Sequence, residues 1–116
     1  APGCAEVMNL IGDVTGKTAV IIDDIVDTAG SLCEGAKALE KRGAKRIFAS
    51  CSHAILSDPA VQRINESPIE KLVITNTIPL PPEKESDKIV TLSIANAIGD
   101  VIMRIQSHRS VSQLFR

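Results

Sequence analysis

The run from Val20 to Ser31, VIIDDIVDTAGS, constrains the fold of this chain more than any other feature. Thr18 to Ile22 is β-branched and apolar on both faces, the pattern of a central parallel strand ending in Asp23. Small and polar residues follow, and then a helical pattern from Ser31 to Arg42 with Leu32, Ala36 and Leu39 on one face. Ser31 and Glu34 fit a capping box, and Gly43 supplies the stop. A strand that hands over to a helix through a glycine-containing turn is the opening of a parallel α/β arrangement.

The remaining elements extend that arrangement. Glu6 to Ile11 is apolar enough for a strand, and Gly12 to Gly16 is a hairpin-like turn. Arg46 to Ser52 is the next strand. Pro59 to Glu66 reads as a short helix with Asp58 as its cap and Pro59 in its first turn. Leu72 to Thr75 and Ile89 to Leu92 are strands, separated by the Pro-rich, charged loop from Pro79 to Lys88. Ile94, Ile98, Val101 and Ile105 mark a final amphipathic helix. The expectation is a single α/β domain over residues 1–116: a mostly parallel, five-strand-like sheet with Val20–Asp23 near its centre and helices on both faces.

Composition narrows the function. Thirteen Lys+Arg against fourteen Asp+Glu leave a net charge of −1, without the basic excess of a sequence-blind nucleic-acid binder. Aromatics are 2% of the chain, so base-stacking platforms are missing. No apolar run approaches the ~18–20 residues of a membrane-spanning helix. Cys4, Cys33 and Cys51 are odd in number and far apart, which fits small buried thiols in a reducing cytoplasm rather than a metal site or a disulfide. The chain opens at Ala1-Pro2-Gly3 without Met, as a processed chain or a fragment would.

Three motif-like strings mislead. Gly12 to Thr18 imitates a phosphate-cradling P-loop but has three residues between its glycines instead of four, and leads into a strand. Val20 to Asp24 imitates a Walker B strand, without the loop that would grip a phosphate. Asp23, Asp24 and Asp27 spell the acidic string of isoprenyl diphosphate synthases, which sits on a helix and not behind a β-branched run.

Read as chemistry, the run from Val20 to Ser31 holds together. Ligands of open α/β sheets bind beyond the carboxyl ends of the strands. Asp23 and Asp24 present acceptors there, suited to sugar hydroxyls or magnesium. Asp27, Thr28, Ala29, Gly30 and Ser31 form a turn in which Gly30 lets backbone approach a ligand and two hydroxyls add donors. The helix start beyond it favours an anion through its free N–H groups and dipole. Carboxylates and anion-binding amides this close together point to a sugar phosphate. Three neighbouring carboxylates repel one another and add nothing to packing.

These residues resemble the phosphoribosyl pyrophosphate loop of the type I phosphoribosyltransferase fold, and above all that of the ribose-phosphate pyrophosphokinase family. Further stretches carry the resemblance: Ala5 to Asn9, Gly43-Ala44, Ser52-His53 with Ser57 and Pro59-Ala60, Val73 to Pro79, and Ser110 to Phe115. The resemblance implies transfer of the β,γ-diphosphate of ATP to the anomeric hydroxyl of ribose 5-phosphate, with magnesium, giving phosphoribosyl pyrophosphate and AMP. Carried onto this chain, Asp23 and Asp24 hold the ribose hydroxyls, and Asp27, Thr28, Ala29, Gly30 and Ser31 wrap the 5′-phosphate.

The resemblance also implies that this is the C-terminal part of a longer cytoplasmic homo-oligomer, a hexamer. Its catalytic Lys and Arg and its ATP site then lie upstream of Ala1, and the fragment alone is inactive. An effector site for ADP and phosphate takes Ser110 and Phe115, with Phe115 expected to anchor a folded-back tail. Asp58 stands where the family usually has Gly, which leaves His53 without an assigned role. Two alternatives share the loop. One is a purine or orotate phosphoribosyltransferase, which needs a hood over the base. The other is a non-catalytic regulatory homologue or repressor.

Overall fold

A computed structural model describes residues 10–116. Four strands form one parallel sheet: β1 (Thr18–Val26), β2 (Arg46–Ala54), β3 (Lys71–Thr75) and β4 (Ile89–Leu92). They lie side by side in chain order. The helices are α1 (Gly30–Lys41) after β1, α2 (Ala60–Glu66) after β2 and α3 (Ala95–Gln106) after β4. The α/β class and the parallel sheet are those expected. Two details differ: the described sheet has four strands, and β1 is an outer strand rather than a central one. The expected strand from Glu6 falls outside the described residues up to Asn9, and Leu10 and Ile11 are not in a strand.

Side chains alternate across the sheet as the pleat requires. In register, Ala19 lies beside Ile47, Ile21 beside Ala49, Ala49 beside Leu72 and Cys51 beside Ile74. This face forms the core with Leu32, Ala36 and Leu39 of α1 and with Ala60 and Ile64 of α2. Burying an aliphatic side chain of this kind stabilises the fold by about 1.5–3 kcal/mol. The other face carries Val20, Ile22, Val90 and Leu92, all exposed. Among the described residues no layer covers it, and α3 has no buried residue.

The Gly12–Gly16 segment is a turn and not a P-loop, since it leads straight into β1. Asp13 accepts from the Thr15 amide (3.0 Å). The Gly16 amide donates to the Gly43 carbonyl (2.8 Å), stapling this turn to the end of α1. Gly43 has φ 90, a left-handed stop that glycine adopts without a steric cost. Cys33 and Cys51 are free and buried, while Cys4 lies outside the described residues.

Two expected helix caps are absent. At α1 the N-cap is Ala29, with no side-chain cap bond. Ser31 sits inside the helix, and Glu34 pairs instead with Lys37 (3.2 Å). At α2 the N-cap is Pro59, and Asp58 makes no capping bond. The other end of α2 is held from a distance: Lys88 donates from Nζ to the carbonyls of Ile64 (3.3 Å) and Ser67 (2.9 Å).

Candidate functional site

β1 extends three residues beyond the expected end at Asp23, so the Asp23-Asp24 pair sits within the strand rather than after it. The ladder to β2 passes from Asp23–Cys51 directly to Ile25–His53, without an Asp24 pair. The carboxylates take over the amides there: the Asp24 N–H donates to Asp23 Oδ1 and the Ile25 N–H to Asp24 Oδ1, each at 2.8 Å. Asp24 is held below the usual carboxylate range, first by its hydrogen bonding with the Asp23 side chain and then by the Ile25 amide, with a smaller contribution from His53. Both acids are exposed at the carboxyl end of the strand.

Asp27, Thr28, Ala29 and Gly30 turn the chain from β1 into α1. Asp27 and Thr28 are exposed, whereas Ala29 is buried. Ala29 adopts φ 61, ψ 14. This left-handed conformation is uncommon for a residue with a Cβ and costs about 1–3 kcal/mol, so its surroundings must impose it. Part of the restraint is visible. The Val26 carbonyl accepts from the amides of Ile55 (3.0 Å) and Leu56 (3.2 Å), which fixes the loop where it leaves the sheet. The Ala29 carbonyl accepts the first helical bond, from the Cys33 amide (3.0 Å). The amides before Cys33 open α1 without intrahelical partners, as every helix start does.

Gly30 also faces a side chain from another element. A Cβ on it would lie 3.3 Å from Arg63 Nη1 and 3.9 Å from Thr28 Oγ1. Its missing side chain makes room for an arginine of α2. That arginine donates from Nη1 to the Thr28 carbonyl (3.0 Å). Sequence reasoning missed Arg63; it stands 35 positions from Thr28, and its partner is a backbone oxygen.

His53 also finds a definite setting. Its Nδ1 lies 2.8 Å from Thr77 Oγ1. That hydroxyl is 3.0 Å from the Ser52 carbonyl, which can only accept. The one hydroxyl proton therefore points to Ser52, and His53 Nδ1–H is the donor to Thr77. Any other tautomer would leave two oxygens facing each other without a proton. The ring's Nε2 is left outside this chain of bonds. Thr75 reinforces it by donating to the same Ser52 carbonyl (2.6 Å).

The tail after α3 does fold back, but Phe115 is not its anchor. Phe115 lies in a short 3₁₀ turn, Ser112–Phe115, and is 75% exposed. The tie is Arg104, which donates from Nη1 to the Ser110 carbonyl (3.0 Å) and to Gln113 Oε1 (3.3 Å). A charged fork reaches two acceptors on the tail, while the ring meets no buried surface to pack against. Ser110 Oγ lies 2.9 Å from Ser112 Oγ.

The described residues bring no three His, Cys, Asp or Glu side chains together as a metal site. No described helix is long and apolar enough to cross a membrane.

Comparison with known proteins decides the family. Residues 3–116 match the family described as "Phosphoribosyl synthetase-associated domain". The chain belongs to that family. It is 55% identical over 114 residues to ribose-phosphate pyrophosphokinase 1 of Listeria monocytogenes, covering 98% of this chain and 36% of that protein. It is 49% identical over 117 residues to the ribose-phosphate pyrophosphokinase of Synechococcus elongatus, covering 100% of this chain and 35% of that one. The crystal structure of phosphoribosylpyrophosphate synthetase from Mycobacterium smegmatis superposes with a TM-score of 0.82 at 35% identity, over 84% of this chain and 33% of that one. This phosphoribosyl synthetase-associated domain thus spans about a third of the length of the curated relatives it matches.

Proposed function

We propose that residues 1–116 form the C-terminal phosphoribosyltransferase-like domain of a ribose-phosphate pyrophosphokinase and supply its ribose 5-phosphate site. The observation that carries this reading is the strained loop from Asp27 to Gly30, seated between exposed strand-end carboxylates and the start of a helix twelve residues long. The names of the relatives support the same substrate class.

In this reading Asp27, Thr28, Ala29, Gly30 and Ser31 surround the 5′-phosphate. The unpaired amides at the start of α1 donate to its oxygens, and the helix dipole favours its charge. The carboxylate oxygens of Asp23 and Asp24 accept from the ribose hydroxyls. Their own amide bonds fix the carboxylates before the sugar arrives, which lowers the ordering cost of binding. The anomeric hydroxyl oxygen then attacks the β-phosphorus of ATP and gives up its proton to solvent, the bond from that phosphorus to the bridging α-phosphate oxygen breaks, and AMP leaves with that oxygen. Magnesium, brought with the nucleotide phosphates, would neutralise charge when bound. This domain orients the acceptor sugar. The Lys and Arg that the resemblance assigns to transfer lie upstream of Ala1, so the segment alone binds without turning over. Ser110 and Phe115 are proposed to face ADP or phosphate at a contact between subunits, where an exposed ring is free to pack on a neighbour.

Calorimetric titration of ribose 5-phosphate into the full-length polypeptide tests the site. Asp23→Asn is expected to weaken ribose 5-phosphate about tenfold, the loss of one charged hydrogen bond, and to leave inorganic phosphate nearly unchanged. Gly30→Val is expected to abolish both, because its Cβ crowds the Arg63 guanidinium (3.3 Å) and its branched methyls fill space beside the loop that the anion needs. Parent-like affinities in both variants would overturn the assignment.

A further inference from the structure

Arg63 lies outside the loop in sequence, yet it grips the loop's central peptide. In a trans peptide the carbonyl and the following N–H point in opposite directions. The Arg63 bond to the Thr28 carbonyl (3.0 Å) therefore also fixes which way the Ala29 N–H faces. Ala29 is the residue held in the left-handed region at φ 61, and the Thr28–Ala29 peptide is the one whose rotation would release it. We propose that Arg63 is a positioning residue for the anion loop: by holding the Thr28 carbonyl, it keeps the Thr28–Ala29 peptide in the orientation that aims the Ala29 amide at a phosphate. This inference rests on the reading of the loop as the site of the 5′-phosphate.

Three further observations support it. Gly30 leaves 3.3 Å between a would-be Cβ and Arg63 Nη1, so the guanidinium is seated against the loop and not merely near it. The platform that carries Arg63 is itself fixed. Leu56, fully buried and left-handed at φ 53, donates to the Val26 carbonyl at one end, and Lys88 holds the Ile64 and Ser67 carbonyls at the other. The segment between β2 and the end of α2 thus meets the loop at Val26 and again at Thr28. Finally, Arg63 is exposed and spends one donor on Thr28, while a guanidinium has five. Its charge and remaining donors stand beside a helix start that already favours anions.

The test is titration of the full-length polypeptide with ribose 5-phosphate and, separately, with inorganic phosphate. Arg63→Met keeps the apolar stem and removes the fork. It is expected to weaken both ligands about tenfold, the loss of one charged hydrogen bond, with little change in Tm because the side chain is exposed. Arg63→Lys retains charge and one donor and is expected to fall between parent and Met. In Arg63→Ala, guanidinium ion at sub-denaturing concentration is expected to restore part of the affinity, which a purely structural loss would not allow. Parent-like affinity for both ligands in the Met and Ala variants would overturn the proposal, as would equal losses in Lys and Met without guanidinium rescue. Asp23→Asn separates the two levels. If it weakens ribose 5-phosphate while the Arg63 variants bind normally, the site stands and the positioning role falls. If the parent binds neither ligand, the reading of the site falls first.

Discussion

On one face of the sheet Ile47, Ala49, Cys51, Leu72 and Ile74 are between 0% and 3% exposed; on the other, Val20, Ile22 and Leu92 are 59%, 81% and 56% exposed. Both faces carry aliphatic side chains, and both belong to the same four strands. What differs is the cover. α1 and α2 close the first face with Leu32, Ala36, Leu39, Ala60 and Ile64. Parallel sheets are built to be covered on both sides, because their crossover connections put layers on the faces. The open face thus carries side chains suited to burial, with no layer for it among residues 10–116. The candidate site straddles this difference: its loop and helix lie on the closed side, and its acids stand on β1, an outer strand among the described residues.

The comparison breaks most clearly under substitution. Leu72→Ala, at a fully buried position, is expected to cost about 2–5 kcal/mol in denaturant unfolding of the 116-residue chain. Ile22→Ser on the open face is expected to stay within ~0.5 kcal/mol. A cost near that of Leu72→Ala would mean that the open face is covered after all.

A smaller effect sharpens the closed side. Burial pushes the thiols of both Cys33 and Cys51 up, and at Cys51 the neighbouring Asp23 charge adds to it. Thiolate is the reactive form, so both are expected to resist alkylation in the native state near pH 8 and to react fully on unfolding. Rapid native labelling of Cys51, read by mass spectrometry of its peptide, would show that the core beneath Asp23 opens readily.

The smallest effect concerns the rim. Arg46 meets Glu70 at 2.7 Å with both side chains half exposed, and the Arg46 carbon lies 4.8 Å from the Phe48 ring centroid. The hydrogen bond from Arg46 holds Glu70 below the usual carboxylate range. A folded value below the unfolded one gives stability that is present above the unfolded pKa and lost as pH falls through the folded pKa. Glu70→Gln is therefore expected to lower Tm slightly at neutral pH, with the difference vanishing in acid. A gap that persists below Glu70's folded pKa would assign the effect to packing instead of charge.

Much of the fold was legible because its signals are local. The β-branched run of β1, the heptad-like spacing in α1 and the glycine after it each depend on neighbours within a turn or two. The strand-to-helix turn behind the acids of β1 was legible for the same reason. The caps at α1 and α2 were misread because Ser31 with Glu34, and Asp58 before Pro59, carry cap composition without cap geometry. At α1 the left-handed Ala29 starts the helix one residue early and carries Ser31 past the capping position. Arg104 was missed at the tail because an aromatic ring advertises burial by its type, whereas an arginine's reach to a carbonyl does not.

The sequence by itself determined most of the elements, their order, and a small-residue turn between a strand that carries two carboxylates and a helix. Tertiary structure alone decided which face of the sheet is closed, where β1 lies in the order of the described strands, that the Thr77 hydroxyl links His53 to the Ser52 carbonyl, and that Arg63 holds Thr28 across 35 positions. The physical reason is common to all four. Each depends on groups brought together from distant positions, and in the last two the acceptor is a backbone carbonyl, which every residue carries alike. No pattern of side-chain types marks which carbonyl a distant arginine or threonine will find.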